Sequence, residues 1–85
     1  MEAKIIHNWS IFEKEFEKLE NPKFYINLDS SDKGNVLRIY AETKDEILIF
    51  EPEDMDLRKW KKKLDDMSVE YKWGESPVKI IEKEE

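Results

Sequence analysis

Six carboxylates in two short stretches are the residues of this chain whose types and spacing could do chemistry. Asp29 and Asp32 lie in "DSSDKGN", and Glu51, Glu53, Asp54 and Asp56 lie in "EPEDMD". Hard oxygen ligands suit a divalent cation, and they suit Ca²⁺, with its flexible shell of roughly six to eight oxygens, better than Mg²⁺ with its tight octahedron. Neither stretch has the regular ligand spacing of an EF-hand loop, and no bidentate Glu stands where such a loop needs one. Calcium held here would be a weakly bound cofactor, with a dissociation constant of about 10⁻⁴ to 10⁻³ M. The competing reading is that the second stretch begins a helix. Acids there complement the macrodipole and cap backbone N–H groups, and Pro52 suits a first turn because that turn needs no N–H from it.

Other chemistry is thinner. His7 is the sole histidine, with no nucleophile or orienting group beside it in sequence, so it reads as a surface or strand-end residue rather than a general base. Ser30 and Ser31 adjoin acids, but turn composition accounts for them. Paired acids serve glycosidases only across a substrate cleft, which so short a chain has little material to build. No enzymatic activity is expected.

Two surfaces could bind a partner. "RKWKKK" places Arg58, Lys59, Lys62 and Lys63 on a broad helical arc. Lys61 and Lys62 have Asp65 and Asp66 four residues on to neutralise them, and Trp60 belongs to the apolar stripe, so the arc reads first as a solvated face. The aromatic residues Tyr25, Tyr40 and Trp73 form the other surface, exposed if no helix covers the sheet face opposite Ile26 and Ile39. A protein-interaction module using this aromatic face or the lysine helix is therefore the alternative to a cation-binding domain.

Composition narrows the classes. A chain of 85 residues is one domain with one core, residues 1–85, ending in a flexible charged tail near 82–85. Hydrophobic residues make up 39% of it, enough to fold despite 42% charged residues. The absence of cysteine excludes disulfides and thiolate metal sites, and fits a reducing, cytoplasmic setting. No stretch approaches the roughly 20 apolar residues of a membrane span, so a membrane partner is not expected. A formal net charge of −6 disfavours nucleic acid as a partner, while leaving cations and basic proteins open. Lys and Glu dominate the polar residues and Gln is absent, a thermophile-like profile that an AT-rich genome would also produce.

These residues must be positioned by a small set of elements. "EAKIIH" opens as a short strand. "SIFE" has capping-box spacing from Ser10 to Glu13, and Phe12, Phe16 and Leu19 recur on one face, predicting a helix over about 10–20 that stops at Asn21-Pro22. "KFYINLD" and "VLRIYAE" alternate as half-buried strands around a turn at Gly34, and "ILIF" is apolar on both faces, as a central strand is. Leu57, Trp60, Leu64 and Met67 then mark a second helix. "VEYKW" and "VKIIE" offer two last short strands. The order is roughly (β)αβββαββ, an α+β domain with two helices on a mostly antiparallel sheet of four to six strands. In such a meander the loop after the first strand of "KFYINLD…ILIF" and the segment after its third emerge at one end. All six carboxylates are thereby expected on one rim.

Overall fold

The computed structural model describes residues 2–32 and 34–75. Strand β1 (Glu2–Ile6) leads into helix α1 (Trp9–Phe16). Strands β2 (Lys23–Ser31), β3 (Gly34–Glu42) and β4 (Glu46–Phe50) follow, then helix α2 (Leu57–Asp66) and strand β5 (Tyr71–Trp73). The five strands make one sheet in the order β1-β4-β3-β2-β5. The predicted α+β class holds. The expected last strand, "VKIIE", and the tail near 82–85 lie outside the described residues.

The sheet is mixed rather than mostly antiparallel. β2, β3 and β4 form the antiparallel meander, but β1 pairs parallel with β4 and β5 pairs parallel with β2. The cause is that each edge strand is joined to the meander through a helix, and a helical crossover returns the chain in the direction it left. Both crossovers, β1-α1-β2 and β4-α2-β5, move the same way along the strand order. Crossovers of the usual right hand moving in one direction must lie on one face. Accordingly Phe12 and Phe16 of α1 and Trp60 and Leu64 of α2 share a single core with Ile6, Phe24, Ile26, Leu37, Ile39, Ala41, Leu48 and Phe50. Aromatic rings dominate its centre: Phe50 lies 5.4 Å from Phe12, 5.2 Å from Trp9 and 4.9 Å from Trp60 between ring centroids.

The opposite face carries a smaller buried cluster of Tyr40, Ile47 and Ile49, with Tyr25 packed against it. β4 is therefore apolar on both faces, and it lies between β1 and β3, as its sequence implied. Helix α1 is shorter than expected and is not opened by the Ser10 capping box. Asn8 is its N-cap, the Oδ1 accepting the Ile11 N–H at 3.1 Å, because β1 ends close enough to the helix for the first available side-chain oxygen to take that role. Among the described residues no helix is long and apolar enough to cross a membrane.

Candidate functional site

The acidic segment after β4 is placed by what it must satisfy at the end of the sheet. β4 stops at Phe50, so the Leu37 N–H loses its strand partner and instead donates to the Met55 sulfur at 3.1 Å. Pro52 is buried in the segment between β4 and α2 instead of sitting in the first turn of α2. That turn begins only after Asp56, whose Oδ1 accepts the Arg58 N–H at 3.1 Å and the Lys59 N–H at 3.4 Å. Asp54 braces the same turn, with Oδ1 accepting from the Asp56 N–H at 2.9 Å and Oδ2 meeting Lys59 Nζ at 3.0 Å. Its backbone carbonyl accepts the Trp60 indole N–H at 2.7 Å. Hydrogen bonding from Asp56 and then Lys59 holds the Asp54 carboxyl below the usual carboxylate range. Asp54 and Asp56 thus begin a helix.

Asp29 and Glu51 have a different role. They come from the two separate segments and do reach the same end of the sheet, where they meet Arg38 of the strand between them. Arg38 Nε donates to Glu51 Oε2 at 3.0 Å, and its Nη1 lies 3.7 Å from Asp29 Oδ2. The three side chains are only 22%, 23% and 17% exposed for Arg38, Glu51 and Asp29. Asp29 also accepts from the Asn27 amide at 2.8 Å and from the Tyr40 hydroxyl. Burial, then the Asp29 hydrogen bond, raises the Tyr40 hydroxyl well above its ordinary value. This connected network covers the polar half of the sheet face that the helices leave open.

The six carboxylates expected to gather therefore divide. Asp29 and Glu51 share the single Arg38, Asp54 and Asp56 organise α2, and Asp32 and Glu53 are exposed. Among the described residues no group of three or more His, Asp or Glu is placed to hold a metal ion. The residue that sequence reading missed is Arg38. Its alternation with Ile39 and its place in the middle strand were legible, but its partners are set by register across two strand pairs.

The aromatic surface also divides. Tyr25 pairs with Tyr40 and with Lys72, while Trp73 pairs with Ile26, so Trp73 lies on the helix-covered face and not beside the two tyrosines. Tyr40 is buried, and Tyr25 is half-buried with its hydroxyl donating to Glu42 at 2.9 Å. Burial, then Glu42, pushes the Tyr25 hydroxyl up to about 12. Trp73 itself is exposed, with Lys61 Nζ 4.5 Å from its ring centre. Lys59 is held by Asp54, Lys62 lies 3.9 Å from Asp66, and Lys63 reaches over the Trp9 ring. Arg58 is exposed in the first turn. Most of the lysine helix is thus occupied within the molecule.

His7 sits at the end of β1 with Nδ1 3.0 Å from the Glu51 carbonyl oxygen, a structural contact. A cleft of about 600 Å³ opens at the other end of the sheet, between the chain after α1 and the turn at residues 43–46. The Thr43 hydroxyl there is occupied by the Glu46 backbone.

One surface remains that no motif announced. Leu28, Met55 and Trp73 are all exposed, at 46%, 43% and 47%. Leu28 and Trp73 occupy the helix-bearing face, Leu28 two residues beyond Trp73's partner Ile26 and paired across the sheet with Leu37. Met55 lies on the far side of Leu37. Together they place apolar surface at one end of the sheet, a shelf whose Trp73 edge lies beneath Lys61 of α2. Comparison with protein-family models, curated proteins and solved structures finds no significant match to this chain.

Proposed function

We propose that this protein is a small acidic, non-catalytic interaction domain, and that it meets its partner through the Leu28, Met55 and Trp73 shelf. The observation that carries this reading is the exposure of three large apolar side chains, Leu28, Met55 and Trp73, toward one end of the sheet. Large apolar side chains grouped on a small domain mark contact surfaces, whereas scattered ones need no explanation. The half-buried Asp29, Arg38 and Glu51 are bonded to one another and to the Tyr40 hydroxyl.

A photo-cross-linking side chain installed at Leu28, compared with one at Glu17 on the solvated side of the α1 terminus, tests it in the cells of the source organism. Capture of a defined protein from Leu28 alone, lost when Trp73→Lys is added, supports the reading. Equal capture from both positions overturns it.

Weak divalent-cation binding is the second reading, favoured by the convergence of Asp29 and Glu51 from separate segments on one end of the sheet. Backbone amide shifts at low ionic strength, followed with calcium, magnesium and potassium in turn, test it. Saturable shifts selective for calcium at residues 29–32 and 51–56 support it. Uniform changes with every salt reduce it to screening.

A further inference from the structure

The end of the sheet that carries the apolar shelf also carries a strand edge that the described strands cover in part. β5 covers β2 at residues 24–26 and ends just before Gly74, whose φ of +78° lies in the left-handed region that favours glycine. The Gly74 N–H still reaches the Ile26 carbonyl at 2.9 Å, so the backbone of Ile26 faces outward. Alternation along the strand then turns the N–H and C=O groups of Leu28 and Ser30 outward too. No described strand pairs with them there. A strand that continues where β5 stops would meet two donors and two acceptors in register. Its side chains on the helix-bearing face would lie against Leu28 and Trp73.

We propose that the outer edge of β2 at residues 27–31 accepts an extended segment of a basic partner as an added strand, its apolar side chains resting on Leu28 and Trp73. This rests on the interaction-domain reading and names the partner's chemistry. Charge selects between the possible occupants. The exposed Asp32 directly follows the segment, and the chain carries a net charge of −6. Pairing of two copies edge to edge about a two-fold axis at the middle of this segment would set Asp29 opposite its own counterpart and bring together two chains of net charge −6, and like charges directly across a strand pair are destabilising. An alternating lysine and apolar segment avoids that repulsion, and its backbone supplies partners for the outward groups of Leu28 and Ser30.

The test uses the full chain and three synthetic peptides: alternating lysine and valine, alternating glutamate and valine, and the lysine peptide N-methylated at alternate residues. Hydrogen exchange and amide shifts are read at each backbone position. The lysine peptide is expected to slow exchange at Leu28 and Ser30. The other two should bind at least about tenfold more weakly, a difference of about 1.4 kcal/mol. Slowed exchange at Leu28 and Ser30 that survives N-methylation overturns the strand-addition mode. Equal binding of the glutamate peptide, or concentration-dependent self-association in its place, overturns the basic partner. Absence of any binding by the lysine peptide overturns the proposal as a whole. A lysine peptide that shifts Trp73 and Met55 while leaving the Leu28 and Ser30 amides unprotected also overturns it, but leaves the interaction-domain reading standing. Failure of that broader reading shows separately, in the cross-linking comparison.

Discussion

Arg38 and Glu51 meet Nε to Oε2 at 3.0 Å across the end of the sheet, so the cation on the acidic rim is one that the chain itself supplies. Arg38→Met keeps much of the side-chain volume and removes the charge, leaving Asp29 and Glu51 facing each other in a partly desolvated site. Breaking a fully buried pair costs roughly 3–5 kcal/mol, and at this exposure about 1–3 kcal/mol is expected, read as a lower urea midpoint at unchanged slope. Adding Glu51→Gln should recover part of the loss, because the two changes act on one network. Calorimetric titration should also find Arg38→Met binding calcium more tightly than the native chain, since Arg38 no longer competes for Asp29 and Glu51.

Asp56 and Asp54 differ in a way their shared charge hides. Asp56 takes two N–H groups of the first turn of α2, whereas Asp54 takes one backbone N–H and a lysine. Asp56→Ala should therefore cost about 0.5–2 kcal/mol, and Asp56→Asn much less, because the amide oxygen still accepts. Thermal melts of the two variants side by side would measure the difference. Equal losses would show that charge rather than capping geometry matters.

The stripe of α2 was readable because Leu57, Trp60, Leu64 and Met67 repeat at helical spacing, and burial enforces that spacing wherever a helix lies on a sheet. Alternation in β2, β3 and β4 was readable for the same reason. What local pattern does not encode is pairing between distant segments. The parallel edges depend on crossovers whose direction no short stretch records. Trp73 falls on the face away from Tyr25 only through the register of β5 against β2. The rim was foreseen as a place where acids from two segments converge, and Asp29 and Glu51 do. That Arg38 stands between them follows from two strand registers at once, which lie beyond periodicity.

The core makes a sharper demand on size than on polarity. Phe50 is packed by Trp9, Phe12 and Trp60, and Phe50→Ala removes a ring that the surrounding aromatics cannot collapse to replace. A loss of about 3–5 kcal/mol is expected, a large share of the roughly 5–15 kcal/mol that holds a small domain together. Ile11→Ala, on an exposed position of α1, should stay within about 0.5 kcal/mol of the native chain. Chemical denaturation of both variants checks that α1 buries the face carrying Phe12 and Phe16 and leaves Ile11 in solvent.

Alkaline titration should report the sheet face that the helices leave open. Tyr25 has its hydroxyl pushed up to about 12 by burial and then by Glu42, from an ordinary value of 10.0. The folded state therefore holds this proton more tightly than the unfolded chain. Below pH 10 the hydroxyl is protonated in both states, and the stabilisation from its buried neutral form is fully present. As pH rises from 10 toward about 12 the unfolded chain loses the proton first, so stability falls with pH across that window. Urea midpoints measured through it should decline, and Tyr25→Phe should flatten the decline while removing the hydrogen bond to Glu42. Tyrosinate absorbance followed in the same window should rise late for Tyr25, and later still for the more deeply buried Tyr40, whose hydroxyl Asp29 also holds. A tyrosinate transition centred at the ordinary value for all the tyrosines would show that Tyr25 and Tyr40 stand in water.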